Sequence, residues 1–168
     1  RAGKIRHFGC SNWTLARIRA AQDCARRRGW PGFVGNQPMW SLAKREHQDL
    51  ADPTMTVMDE AMHACHRETG LAAIPFSSQA NGWFQKHSRA LDDKTARPKC
   101  GYGSPVNEAR LQRVRQLAAE SGLSITQIVL GYLTGQPFAT IPIVGCKNRE
   151  QLRDTLAAGD IRLGPDQI

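Results

Sequence analysis

Residues 3–13 of the chain, GKIRHFGCSNW, join a strand-like run to an abrupt polar end. The run from Ile5 to Cys10 has the length of an ordinary strand, and Ser11 and Asn12 follow it directly. A segment with helical periodicity comes next and is closed by Gly29. The stretch therefore predicts a β-strand followed by an α-helix, with two polar side chains at the junction.

The same order of strand and then helix recurs three more times along the chain. Short apolar runs predict the further strands at residues 33–37, 71–76 and 139–144. The helices after them carry recognisable ends: a closing Gly70, an opening Ser104 before Pro105, and a capping box of Asn148 and Gln151. We expect one additional helix from about Ser124, and a long basic loop ahead of Ser104.

Alternating strands and helices predict an α/β fold with a parallel sheet. Four such units are half of a closed (β/α)8 TIM barrel, which needs about 250 residues, and this chain has 168. A doubly wound, flavodoxin-like sheet satisfies the same pattern. Because the sequence opens on Arg1 rather than on a methionine, we expect a segment of a longer protein.

The formal net charge of +8 favours anionic partners, such as nucleic acids, acidic membranes or phosphorylated small molecules. The densest basic run, Arg26 to Arg28, lies at the end of a predicted helix, where cations are solvated and complement the helix dipole. We therefore expect no nucleic-acid partner. No stretch approaches the roughly 18 apolar residues of a membrane span, so we expect no membrane partner.

The chain has five cysteines, an odd number, without a CxxC pair. This pattern argues against a disulfide framework and against a zinc ribbon, and it favours a reducing, cytoplasmic location. Glu60, His63 and His66 share one helix face, but a metal site needs further ligands from another element. We expect no metal site.

Polar residues close each predicted strand. In parallel α/β folds the active site gathers at these carboxyl ends, so the residues there are candidates for binding or catalysis. They are Ser11 and Asn12, Asn36 and Gln37, Ser77 and Ser78 after Phe76, and Gly145, Lys147 and Asn148.

This series, in this order, resembles the C-terminal half of the aldo-keto reductase family. The resemblance extends through Trp40-Ser41-Leu42, Gly82-Trp83-Phe84, residues 141–145 (IPIVG) and Gln151-Leu152, which is nearly the whole chain. It implies that residues 1–168 are a single partial domain, barrel units five to eight, whose N-terminal half is absent. It also implies an oxidoreductase that transfers hydride between NADP(H) and an aldehyde or ketone.

The resemblance assigns cofactor contacts residue by residue. At the nicotinamide end, Ser11, Asn12 and Gln37 would hold the carboxamide, and Phe76 would stack on the ring where relatives often have Tyr. Ser77 would approach the pyrophosphate. At the adenosine end the implied contacts are Gly145, Lys147, Gln151, Asp154 and Thr155. Lys147 would meet a 2′-phosphate and so favour NADP(H), whereas Asp154 and Thr155 depart from the Glu and Asn of similar proteins.

The family's catalytic Tyr, with its Lys, Asp and His, comes from the first four barrel units. Neither Tyr102 nor Tyr132 stands in that context. We therefore assign no catalytic residue and expect the isolated chain to be inactive, with a small carbonyl compound as substrate of the whole enzyme. Trp40 and Trp83 are candidates for substrate loops. The alternative is a non-catalytic nucleotide-binding or regulatory half-barrel that self-associates.

Overall fold

The computed structural model describes residues 3–93 and 101–167. Within these residues three parallel strands form one sheet in the order β1-β2-β3, with six α-helices around it. The strands are β1 (Gly9–Ser11), β2 (Gly35–Gln37) and β3 (Ala72–Ala73). The helices are α1 (Leu15–Arg27), α2 (Glu60–Thr69), α3 (Trp83–Asp92), α4 (Pro105–Ser121), α5 (Ile125–Thr134) and α6 (Arg149–Ala157). The prediction of an α/β fold with a parallel sheet is confirmed.

The three strands are shorter than the sequence predicts. In the sheet Cys10 lies opposite Asn36, and Asn36 lies opposite Ala73. Ahead of β1 the pairing continues for one hydrogen bond, from the Val34 N–H to the Phe8 carbonyl at 3.0 Å. This register brings Ser11 and Gln37 side by side at the carboxyl ends of β1 and β2.

The predicted fourth strand is present only in part. Residues 139–144 run beside β3, and the Ala73 N–H donates to the Ala139 carbonyl at 2.8 Å. The Ile141 N–H donates back to the Ala73 carbonyl, also at 2.8 Å, so the segment meets β3 in a single parallel bridge at Thr140. The segment lies beside β3, but the prediction of a regular strand is wrong.

The helix caps include the predicted Ser104, Ser124 and Gly70, together with two that were not predicted, Thr14 and Asp59. Thr14, Asp59, Ser104 and Ser124 each accept a hydrogen bond from the first turn of their helix, and Gly70 ends α2 in the left-handed conformation with φ 70°. At α6 the cap differs in detail. Asn148 accepts from the Gln151 N–H, but the Gln151 side chain accepts from the Lys147 N–H, so the predicted capping box is only half formed.

Helix α3 was not predicted: its residues were expected to lie in a long loop. It begins after Gly82, which has φ 73° and offers no capping side chain, so the usual sign of a helix start is missing. Burial compensates, because Trp83 and Phe84 are fully buried against α4 and α5 in a cluster with Leu111 and Val129. Tertiary packing therefore decides this helix, and local propensity does not.

Two smaller clusters anchor the sheet. One joins Trp40, Ala73, Leu130, Leu133, Phe138 and Ala158, and the other joins Ile18, Met62 and Leu71. They fix α1, α2 and α5 against the strands and so hold the carboxyl ends of the strands in place. No helix within the described residues has both the length and the apolar character that a bilayer span requires.

Candidate functional site

The side chains at the ends of β1 and β2 are in contact. The Ser11 hydroxyl lies 3.1 Å from the Gln37 carbonyl and 3.3 Å from Gln37 Oε1, either of which can accept its proton. The Asn12 N–H donates to the Gln37 carbonyl at 3.3 Å. The three residues expected to hold a carboxamide therefore lie together at one edge of the sheet.

Phe76 follows β3 and is tied to the loop after β2. Its N–H donates to the Pro38 carbonyl at 3.1 Å, and its carbonyl accepts from the Trp40 N–H at 3.2 Å. The ring is half-buried. Ser77, the next residue, has a positive φ of 53°, which an L-residue adopts only at a cost in backbone strain. Strained positions of this kind are concentrated at ligand sites.

A cavity of about 740 Å³ lies between the turn after β3, helix α3 and the start of α6. Five of the residues assigned to the cofactor line it: Ser77, Gly145, Lys147, Gln151 and Thr155. A Cβ at Gly145 would meet no protein atom within 4 Å, so the backbone there faces open space. The Ser78 hydroxyl donates to the Ile143 carbonyl and joins two walls of the cavity.

Helix α3 forms a wall that sequence reasoning missed. Lys86, Arg89 and Asp93 line the cavity from it, and the spacing of i, i+3 and i+7 places them on one helical face. Gln85 lines it too, and its Oε1 is buried without a hydrogen-bond partner. Two cations from α3 and Lys147 opposite them suit an anionic ligand. The buried residues Trp83, Phe84 and His87, at helical spacing, were the available indication of this helix.

Three assigned residues lie elsewhere. The Asp154 carboxylate accepts from the Ser124 hydroxyl at 2.6 Å, so Asp154 bridges α6 to α5 and does not line the cavity. Trp83 is fully buried, and Trp40 packs on Phe138 with ring centroids 6.0 Å apart. The expectation of substrate-facing loops is corrected: both tryptophans belong to the core. Thr155 is buried and accepts from the Cys146 thiol at 3.5 Å.

A buried polar network surrounds Asn36, the residue that precedes Gln37 in β2. The His66 Nδ1–H donates to the Leu71 carbonyl at 2.6 Å, so its Nε2 is unprotonated and accepts from Asn36 Nδ2 at 3.2 Å. Burial lowers the pKa of His66, which outweighs the opposing effect of the Leu71 carbonyl. Asn36 also accepts from the Cys10 thiol at 3.6 Å, and burial raises the pKa of that thiol. The network keeps neutral groups under the edge that carries Ser11 and Gln37.

The helix face of Glu60, His63 and His66 uses both imidazoles for hydrogen bonds within the chain. His66 is committed to Asn36 and Leu71, and His63 Nε2 lies 2.8 Å from Gln136 Oε1. In the part of the chain that the structure describes, no group of three or more His, Cys, Asp or Glu side chains could hold a metal ion.

The model of the Aldo/keto reductase family matches residues 1–168. The chain belongs to the aldo/keto reductase family, and the family is one of oxidoreductases.

Relatives in the family are distant in sequence. Versiconal hemiacetal acetate reductase from Aspergillus parasiticus is 24% identical, over 99% of this chain and 47% of the relative. The uncharacterized oxidoreductase YrpG from Bacillus subtilis is 28% identical, over 97% of this chain and 47% of the relative. A putative aryl-alcohol dehydrogenase from Schizosaccharomyces pombe is 27% identical, over 99% and 45%. The chain therefore spans about half the length of these relatives.

A solved structure has the same fold. The thermostable aldo-keto reductase Tm1743, crystallised in complex with the inhibitor epalrestat, matches with a TM-score of 0.59 at 20% identity. The match covers 98% of this chain and 47% of the other.

Proposed function

We propose that this chain is the cofactor-binding half of an NADP(H)-dependent aldo-keto reductase, which acts on a small aldehyde or ketone. The observation that carries the proposal is the joint placement of Ser11, Asn12 and Gln37 at one edge of the sheet. The cavity with cations on two walls lies at the neighbouring strand ends.

The nicotinamide end of the cofactor would meet the first of these groups. A carboxamide both donates and accepts hydrogen bonds, and the amide of Gln37 with the hydroxyl of Ser11 can do the same. Phe76 would cover the ring face, because an aromatic side chain stacks on a planar heterocycle without needing a hydroxyl. These residues would bind and orient the ring that carries the hydride.

The phosphate-bearing end would lie in the cavity. Lys147, Lys86 and Arg89 supply positive charge there, and α6 directs its first N–H groups and the positive end of its dipole toward the same region. The open space at Gly145 lets a ligand approach the backbone. Among the described residues no group donates to the buried Gln85 Oε1, which leaves it as an acceptor for a ligand. These observations support NADP(H) over NAD(H), since a 2′-phosphate is a further anion.

Reduction of a carbonyl needs a hydride on carbon, which bound NADPH supplies, and a proton on oxygen. The chain has two tyrosines. Tyr102 is only 3% exposed and lies under the Arg45 guanidinium, 4.8 Å from its ring centre. Burial raises the pKa of Tyr132. Since neither phenol lines the cavity, we propose that the proton donor belongs to barrel units one to four, outside residues 1–168, and that this chain forms units five to eight.

A second candidate function is a non-catalytic, nucleotide-binding half-barrel. The placement of both tyrosines away from the cavity favours it, because a chain without a proton donor there can bind nucleotide without reducing a substrate. In either case the free thiols, among them Cys10, Cys24, Cys65 and Cys146, support a reducing cytoplasmic location.

Cofactor binding and turnover by the purified chain test the proposal together. Fluorescence titration should show NADPH bound more tightly than NADH, and a steady-state assay with NADPH and a panel of aldehydes should show no turnover. Failure to bind either cofactor would remove the proposed function. Turnover by the chain alone would show that the proton donor lies within it. Co-expression with the first four units of a family relative separates the two candidates, because only the enzyme half should gain activity.

A further inference from the structure

The loop between β2 and α2 returns to the strand ends and pairs with them. The Met39 N–H donates to the Thr56 carbonyl at 2.8 Å, and the Met58 N–H donates to the Met39 carbonyl at 3.0 Å. Met39 also forms parallel bridges with Val57 on one side and with Phe76 on the other. Residues 56–58 are therefore an added strand-like layer at the edge that carries the proposed nicotinamide site.

This layer makes one direct contact with that site. The Thr56 N–H donates to Asn12 Oδ1 at 3.1 Å. Because a backbone N–H can only donate, the Asn12 atom that faces it must be the amide oxygen. The amide nitrogen is then turned away from the loop. Within residues 3–93 and 101–167, no protein group accepts a hydrogen bond from it.

The backbone of Asn12 is also constrained. Asn12 has a φ of 55°, and its N–H donates to the Gln37 carbonyl at 3.3 Å. A non-glycine residue in this conformation costs free energy and is retained where surrounding contacts hold it. The Thr56 contact is one of those that hold it, and it spans 44 residues of sequence.

We infer that the Thr56 N–H is a positioning group for the nicotinamide end of the cofactor. By occupying Asn12 Oδ1, it leaves Asn12 only donors to present to a ligand and fixes their direction. The inference rests on the proposed function, because it concerns the same site. The loop after β2 would then contribute to cofactor binding through its backbone, and no side chain of residues 54–58 needs to contact the cofactor.

A measurement without cofactor tests the contact by itself. We expect the Thr56 amide to be protected from hydrogen exchange in the intact chain and to exchange about fivefold faster in Asn12→Ala, the effect of one neutral hydrogen bond. Asn12→Asp should retain the protection, because a carboxylate oxygen still accepts. Equal exchange of Thr56 in the intact chain and in Asn12→Ala would overturn the inference, whatever the chain binds.

Cofactor titration tests the positioning role. Thr56→Pro removes the N–H and keeps the carbonyl that Met39 uses, so it should weaken NADPH binding about fivefold. Adenosine 2′,5′-bisphosphate, which lacks the nicotinamide, should bind unchanged. Val57→Pro is the control, because among the described residues the Val57 N–H donates to no group.

A double mutant separates positioning from damage to the loop. If Thr56 acts through Asn12, Thr56→Pro should have no further effect on NADPH affinity in an Asn12→Ala background. Additive losses, or equal losses in Val57→Pro, would overturn the inference. An intact chain that shows the Thr56 protection but binds no NADPH would remove the proposed function and leave the contact established.

Discussion

At the scale of single residues, His66 is a buried titratable group one residue removed from the strand end that carries Gln37, through its bond to Asn36. Its Nε2 accepts from Asn36 only while it is unprotonated, and burial disfavours the charged ring and lowers the pKa. A histidine whose folded pKa lies below its unfolded value binds a proton more readily in the unfolded chain. Its contribution to stability is therefore complete above the unfolded pKa of about 6.5 and is lost as the pH falls through the folded pKa.

We accordingly expect the free energy of unfolding to decrease as the pH is lowered from 7.5 to 5. His66→Leu should be less stable at pH 7.5, and its free energy of unfolding should depend less on pH. The other histidines are present in both proteins, so the difference between the two slopes reports His66. Urea denaturation at four pH values measures both. An identical pH dependence in the two proteins would contradict the assignment of the buried neutral ring.

Lys147 is the residue on which cofactor preference depends most directly in the proposed function. Lys147→Ala should weaken NADPH binding at least tenfold, the effect of about 1.5–3 kcal/mol for one charge-assisted phosphate contact. NADH binding should change little. Fluorescence titration with both cofactors gives the ratio.

Phe76→Ala is the matched comparison, because loss of stacking on the nicotinamide should weaken both cofactors alike. A constant NADPH/NADH ratio in Lys147→Ala would remove Lys147 from the phosphate site. A changed ratio in Phe76→Ala would contradict the placement of the ring.

At the scale of elements, helix caps connect stability to the site. Asn148 caps α6 next to Lys147, and Ser104 caps α4, whose residues do not line the cavity. Each replacement by Ala should lower the free energy of unfolding by about 1 kcal/mol. Only Asn148→Ala should also weaken NADPH binding, because the start of α6 holds Lys147 and Gln151. Denaturation and titration of both variants measure the two effects, and equal losses of affinity would contradict this coupling.

The same elements show what the sequence could predict. Caps such as Ser104 and Gly70 are chemical features of one or two residues, so they appear in the sequence as clearly as in the structure. Ser11 and Gln37 could be predicted as strand ends because the polar residues follow apolar runs directly. Helix α3 could not, since Gly82 in a left-handed conformation is an unusual start and the burial of Trp83 depends on α4 and α5.

Contacts between distant segments of the chain could not be predicted from the sequence either. The bond from Thr56 to Asn12 and the bond from Ser124 to Asp154 join segments 44 and 30 residues apart. Nothing in the local pattern around Asp154 distinguishes a bridge between helices from a ligand contact. The family resemblance therefore assigned Asp154 to the cofactor, and packing assigns it to the contact between α5 and α6.

At the scale of the whole molecule, large apolar side chains are exposed beside the sheet and on α6. Ile5 is 73% exposed ahead of β1, and Ile141 is 60% exposed beyond β3. On α6, Leu152 and Leu156 form an exposed stripe at i and i+4. Parallel sheets are ordinarily covered on both faces, so such surface favours association.

We therefore expect the purified chain to self-associate, and Leu156→Lys to shift it toward monomer. Val106→Lys on α4 replaces an equally apolar, half-exposed residue and serves as the control, which should leave association unchanged. Light scattering over a range of concentrations measures both. A monomer that persists at high concentration in the unaltered chain would contradict the expectation.

The segment at residues 139–144 has a further consequence for what can join its outer side. Ala139, Ile141 and Ile143 direct their backbone groups toward β3 and the residues after it, so Thr140, Pro142 and Val144 direct theirs outward. Pro142 offers a carbonyl but no N–H, which gives this border more acceptors than donors. An incoming strand would meet no N–H at Pro142, so one of its own carbonyls would lack a donor at that position. The border thus selects the alignment of its neighbour and discourages indiscriminate fibril-like stacking of copies.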